Sequence, residues 1–232
     1  MGKGLEEEAV RFLGLWVDDT LKYSLHISKL KAKINKGLYS LVSAKDNSPL
    51  RVRLNIYRAL IESDLRFACA TFGSTSRAHL EELLILQKKA IRHVTKSYYL
   101  AHADPLFLRL GILKIEDLIT LERALQVFSF KQNKLPKSFH RSYFEPICKE
   151  DLNRRDDPSC IKSPELLNKH LSRSQHLMTI EAWNNVPYHI KLIPKKWEFK
   201  NALTKHLLSQ YITFCTKPNC ESCIFNYEDS ST

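Results

Sequence analysis

Between Leu21 and Val42 the apolar residues Ile27, Leu30, Ile34, Leu38 and Leu41 recur at steps of three and four. That period matches one face of an α-helix, whereas a half-buried strand alternates every second residue. The spacing therefore predicts a helix over 21–45. Asp18-Asp19-Thr20 supplies N-cap chemistry before it, and Asn47-Ser48-Pro49 stops it. Ser48 caps a second helix with Pro49 at its first position and an apolar face of Leu54, Tyr57, Ala59, Leu60 and Ile61; a continuation through Phe67 to Phe72 stays open. Gly73 to Ser76 reads as a loop. Leu80, Leu83, Leu84, Leu86, Ala90, Ile91 and Val94 mark a third helix.

Asp104-Pro105 starts a short fourth helix up to Gly111, and Ile115 to Phe130 forms a fifth. The polar stretch 137–175, with Pro146, Pro158 and Pro164, reads as an irregular connector. Ala182 to Pro187 is expected to turn. Pro194 opens a last helix with Trp197, Phe199, Leu203, Leu207 and Tyr211. Ahead of all this, Phe12 to Val17 is a short apolar run with Gly14 inside it, a strand or bent hairpin arm. Only 6 glycines in 232 residues argue against a turn-rich all-β fold. The expected architecture is mainly α: a helical bundle behind a short N-terminal β element, an irregular connector and a C-terminal helix. The segments are 1–20, 21–136, 137–180 and 181–212, with a Cys-containing tail at 213–232.

Lys and Arg outnumber Asp and Glu by 36 to 25, a net charge of +11. Such a balance favours an anionic partner, most commonly nucleic acid. Lys22, His26, Lys29, Lys33 and Lys36 follow one another at steps of 4, 3, 4 and 3, which aligns them on the helix face opposite Leu30 and Ile34. Nine Lys/Arg, Arg51 among them, lie between Thr20 and Leu60 against Asp46 alone. A cationic stripe without balancing carboxylates suits a phosphate backbone; the plain alternative is a solvated lysine-rich surface. Lys88, Arg92 and Lys96 form a second stripe, with Lys89 and His93 beside it and Glu81 and Glu82 near. Tyr98 and Tyr99 are expected in the core rather than stacked on bases.

Cys215, Cys220 and Cys223 are spaced as candidate Zn²⁺ ligands, with His206 a possible fourth; frayed free thiols are the alternative. The early Glu6, Glu7 and Glu8 do not suit a signal peptide, and no apolar run approaches the roughly 20 residues of a membrane span. An intracellular protein is expected, in nucleus or cytoplasm, with no membrane partner.

Five strings, in order, resemble the region downstream of the palm in LINE-type (non-LTR) retrotransposon reverse transcriptases. They are Phe12-Leu13-Gly14, Leu86-Gln87-Lys88-Lys89-Ala90-Ile91-Arg92, Ala101-His102 through Asp104-Pro105-Leu106-Phe107, Trp183-Asn184-Asn185-Val186-Pro187, and Phe199-Lys200 with Leu203, Leu207 and Leu208. The stretch after the third, Leu110-Gly111-Ile112-Leu113, continues the match. Ser63 departs from it, since many relatives have Pro there, and the connector matches poorly. The resemblance implies a primer-grip remnant at Phe12, Leu13 and Gly14, then a helical thumb that grips template–primer as RNA, DNA or hybrid, then a C-terminal extension. It also implies a truncated chain, inactive on its own, because the family's catalytic carboxylates precede the FLG string. Trp16-Val17-Asp18-Asp19 mimics the catalytic motif, but a helix rather than a strand is expected to follow, so capping explains the pair. Two rivals remain: a thumb subunit that completes an active polymerase with a separate palm, and a small helical protein-interaction module.

Overall fold

The structure is a computed structural model, and it describes residues 9–44, 48–134, 144, 159–162 and 174–211. It is mainly helical, with one two-stranded sheet among the described residues. Two compact units divide the chain: one runs up to Ile115 and includes Gln210 and Tyr211, the other spans Glu116–Ser209.

The first unit opens with a hairpin. β1 (Val10–Phe12) pairs antiparallel with β2 (Leu15–Val17), Val10 facing Val17 and Phe12 facing Leu15. Leu13 and Gly14 make its two-residue turn at φ +47° and +91°. Positive φ at both central positions matches the right-handed strand twist, which is why a Gly belongs there. α1 covers Ser24–Ala44, three residues later than its predicted start. Leu21 and Tyr23 take left-handed φ angles of +52° and +57°, which no helix accommodates. The role assigned to Asp18 changes with that. Its Oδ1 accepts from the Thr20 hydroxyl at 2.9 Å and from the Lys22 N–H at 2.8 Å, so it closes the turn ahead of α1 instead of capping the helix.

α1 buries Ile27, Leu30, Ile34, Leu38 and Leu41, the periodic set. Each such side chain removed from water contributes roughly 1.5–3 kcal/mol. Gly37 sits on the same face, where an added Cβ would lie 2.8 Å from Ile61 Cγ1 and 3.2 Å from the Leu60 carbonyl oxygen. The missing side chain lets α1 approach the next helix closely. That helix runs as α2 (Leu50–Tyr57), a π-helical turn (Arg58–Glu62) and α3 (Ser63–Arg66). It breaks at Phe67-Ala68, where Ala68 takes φ +53°, and a single turn, α4 (Cys69–Phe72), follows. The apolar pattern toward Phe72 is thus kept while the helix is not continuous.

α5 (Arg77–Thr95) begins with the Ser76 hydroxyl accepting from the His79 N–H at 3.3 Å. It packs against α1, α2 and α6 (Ala103–Leu110), burying Leu83, Gln87, Ala90, Ile91 and Val94. Arg53 reaches from α2 to the end of α5. Its Nε donates to the Val94 carbonyl at 2.7 Å and its guanidinium to the Ser48 carbonyl, and it is 5% exposed. A cation at the carbonyl end of a helix is stabilised by the helix dipole, so this arginine of the basic segment serves the fold.

In the second unit α7 (Ile115–Lys131), whose first residue belongs to the other unit, is followed by α8 (Gln175–Asn184), α9 (Tyr188–Lys191) and α10 (Lys196–Ser209). α8 starts inside the stretch read as connector and persists to Asn184, so the expected turn narrows to residues 185–187. Its start is set by the Ser174 hydroxyl, which accepts from the Leu177 N–H at 3.3 Å. The last helix starts at Lys196 rather than Pro194. Phe199 stacks between Phe128 at 4.6 Å and Trp183 at 5.9 Å. Asn184 pairs with Ile161, donating to its carbonyl and accepting from its N–H, both at 3.0 Å. Among the described residues no helix is long and apolar enough to cross a membrane.

Candidate nucleic-acid interface

α1 has one apolar and one basic side, and the basic side is the first candidate surface. Lys29, Lys33 and Lys36 are exposed on it, at relative positions i, i+4 and i+7. Lys22 is exposed just before the helix, where its carbonyl accepts from the Thr75 hydroxyl at 2.6 Å. That bond fixes the backbone from which Lys22 projects. Lys29 Nζ stands 5.9 Å from the Trp16 ring, a cation–π arrangement between helix and hairpin. Arg51 is exposed at the start of α2.

Two corrections bear on this surface. His26 does not join the basic side: it is 6% exposed, with its ring 5.2 Å from that of Phe72, and neither ring nitrogen has a hydrogen-bond partner among the described residues. The ring falls one residue before Ile27 and shares its inward direction. The stripe also does not lack carboxylates. Lys33 Nζ lies 3.4 Å from Asp64, and Lys31 Nζ 2.5 Å from Glu82. Both acids come from later helices packed beside α1, which a count between Thr20 and Leu60 does not reach. Such exposed pairs contribute about 0–1 kcal/mol and stay open to exchange with phosphate.

Burial, and next to it the Lys33 charge, holds the His26 imidazole below its ordinary 6.5. The folded state therefore favours the neutral ring. Below about pH 6.5 the unfolded chain takes up a proton that the folded chain refuses, so stability is fully present above that pH and is lost as pH falls. Between about pH 7 and 5 the urea midpoint is expected to drop, and His26→Leu should flatten the drop. An equally steep fall in the variant would remove His26 as its source.

The second surface lies at the carbonyl end of α5. A cleft of about 480 Å³ is lined by Lys89, Arg92, His93, Lys96, Tyr98 and Tyr99. Arg92 is half-buried, and its Nε donates to the Ala101 carbonyl at 2.9 Å. Burial lowers its guanidinium from the ordinary value. α5 ends with Ser97 N–H donating to the Arg92 carbonyl at 3.0 Å and Lys96 N–H to the His93 carbonyl at 3.4 Å. Lys96 takes φ +57° there, in a position that usually selects glycine. Lys88 is half-buried and lies outside the cleft. The acids near this stripe in sequence are engaged elsewhere, Glu81 with Arg77 at 2.9 Å and Glu82 with Lys31. At 1.5 Å per residue they stand about 20 Å down the helix axis from Lys96.

Tyr98 and Tyr99 are not core residues. They are 55% and 67% exposed, with ring centroids 4.5 Å apart. Sequence reasoning placed them inside because aromatics usually are. The available signal was their position just beyond the helix end, where the apolar periodicity has stopped. Phe12, Leu13 and Gly14 lie at the hairpin tip, Phe12 65% and Leu13 82% exposed. His206 is half-buried on α10. Cys215, Cys220 and Cys223 lie outside the described residues.

The fold and these basic surfaces define a mainly helical chain that presents cations on one helix face and at one helix end. Among known proteins it is similar to RNA-directed DNA polymerases of mobile elements. The polymerase from mobile element jockey of Drosophila melanogaster is 23% identical over 138 residues, 58% of this chain and 15% of that protein. The probable polymerase from transposon X-element of the same species is 27% identical over 94 residues, 39% and 10% of the two chains. The jockey polymerase of Drosophila funebris is 26% identical over 113 residues, 47% and 12%. The chain thus matches 10–15% of the length of these relatives. The resemblance read from the five strings stands: over part of its length the chain is similar to non-LTR retrotransposon RNA-directed DNA polymerases. No family model and no solved structure matches it.

Proposed function

We propose that this chain is a nucleic-acid-gripping portion of an RNA-directed DNA polymerase of the non-LTR type and that it does not polymerise on its own. It holds RNA, DNA or an RNA–DNA hybrid through the basic side of α1, reading the phosphate backbone rather than the bases. The observation that carries the reading is the division of α1 into an inner face of Ile27, Leu30, Ile34, Leu38 and Leu41 and an outer face bearing Lys29, Lys33 and Lys36. Lysines are compact point charges, suited to phosphate tracking without base selection. The relatives' names add that the polymerases it resembles are RNA-directed. Inactivity is supported by Asp18, which is 3% exposed and already accepts two hydrogen bonds on Oδ1, while Asp19 is exposed. One carboxylate buried in the turn beside an exposed one does not present the paired face that a shared metal ion needs.

The test is Lys22, Lys29, Lys33 and Lys36 changed together to Gln, which keeps helix propensity and length. Anisotropy titrations with a labelled RNA–DNA hybrid should show weaker binding by similar factors for every sequence tried. The slope of log affinity against log salt should become shallower by about one unit per phosphate contact removed. A folded variant with the parent's affinity and slope would return these lysines to a solvated surface. With primed template, dNTPs and Mg²⁺ the parent chain should extend nothing; extension abolished by Asp18→Ala or Asp19→Ala would overturn the inactive reading.

A further inference from the structure

We infer that the cleft at the end of α5 is a second site, one that takes an unpaired nucleotide: a base against Tyr98 and Tyr99 and its phosphates against Lys89, Arg92 and Lys96. The inference rests on the nucleic-acid reading above but names a different ligand form and a different surface. A duplex stacks its bases inside and offers a protein mainly phosphates and groove edges. Only a single strand presents a base face to an aromatic ring.

Three observations converge on the cleft. Its volume, about 480 Å³, falls within the range of small-ligand sites. Aromatic rings and cations line the same space, the pairing that single-strand binders use for base and backbone. The α1 side exposes lysines with Tyr39 rather than with an adjacent pair of rings. Finally, the cleft sits at a helix end closed on a left-handed residue, and the loop beyond it turns its aromatic rings outward. Lys96 occupies a left-handed position where glycine would be unstrained, and two large tyrosines lie exposed on the loop that follows. Basic residues in a last helical turn are explained by the helix dipole; exposed adjacent tyrosines are not. Arg92 is the pre-set member, since its bond to the Ala101 carbonyl fixes the guanidinium and leaves its terminal nitrogens to meet a phosphate.

The experiment uses the full chain with three probes: short oligo(dT), the same length of abasic strand, and RNA–DNA duplex. Tyr98→Ala with Tyr99→Ala should weaken oligo(dT) binding by about tenfold or more, because base–aromatic stacking is lost. Duplex affinity should stay within about twofold, since the α1 lysines are untouched. The abasic strand should bind the parent more weakly than oligo(dT) and be indifferent to the tyrosine changes. Tyr98→Phe with Tyr99→Phe retains the rings and should restore oligo(dT) binding. The four-lysine Gln variant should show the reverse pattern, losing duplex and keeping most oligo(dT) affinity. Failure of the lysine variant alone would count against the α1 reading and leave the cleft standing. A folded Ala variant that binds oligo(dT) like the parent, or that loses duplex and oligo(dT) equally, would overturn the cleft. So would an abasic strand bound as tightly as oligo(dT).

Discussion

Replacing Trp183 by alanine should destabilise the second unit by about 3–5 kcal/mol, the range for removing a large aromatic from a core. The indole is 1% exposed and lies nearly parallel to Phe199, which itself stacks on Phe128. Its Nε1 donates to the Ser159 carbonyl at 2.9 Å, and Lys131 and Lys191 place ammonium groups 4.7 Å and 5.6 Å from the ring. Truncation therefore removes packing, an indole hydrogen bond and two cation–π partners together. Trp183→Phe keeps most of the volume and loses the N–H, so it should cost roughly 1–2 kcal/mol. Urea unfolding followed by circular dichroism gives the ranking. Alanine and phenylalanine variants of equal stability would show that the ring's volume is not what holds this unit together.

Gln87→Leu should cost roughly 3 kcal/mol or more, although leucine is close in size and more apolar. Gln87 is 1% exposed. Its Nε2 donates to the Tyr57 hydroxyl at 3.0 Å and to the Leu113 carbonyl at 2.9 Å, and its Oε1 accepts from the Ile115 N–H at 3.0 Å. Ile115 begins α7, where a helix leaves its first N–H groups without partners, and Gln87 supplies the acceptor for that N–H within the first unit. Leucine strands three buried polar groups, each worth about 1–3 kcal/mol when unsatisfied. Burial also pushes the Tyr57 hydroxyl well above its ordinary pKa, which keeps it neutral beside Gln87. Adding Tyr57→Phe to Gln87→Leu removes one stranded group and should recover part of the loss, a coupling a double-mutant cycle measures. A melting curve for Gln87→Leu within about 0.5 kcal/mol of the parent would contradict this bridging role.

The same glutamine explains what the family-like strings encode. In Leu86 to Arg92, Gln87, Ala90 and Ile91 are buried, while Lys89 is exposed and Arg92 half-buried. In the Asp104 to Phe107 string, Pro105, Leu106 and Phe107 are buried in α6. Trp183 and Asn184 anchor α8 to Ser159 and Ile161. Much of what these strings encode is thus architecture.

Periodicity alone set the inner face of α1 and the positions of α5 and α7 to within a few residues, while the apolar run around Gly14 marked a β element and left open whether it was a strand or a bent hairpin arm. These are local consequences of side-chain spacing and backbone sterics, and each is readable within a short window of chain. What only the tertiary structure decided depends on neighbours distant in sequence. Asp64 and Glu82 came to Lys33 and Lys31 because α3 and α5 pack beside α1. His26 turned inward because Phe72 lies across from it. Arg53 left the basic surface because the end of α5 offered it a carbonyl at 2.7 Å. Tyr98 and Tyr99 stayed outside because the chain leaves the core through the left-handed Lys96. Burial and charge pairing are properties of a position in space, and helical spacing fixes the direction of a side chain without fixing what stands opposite it.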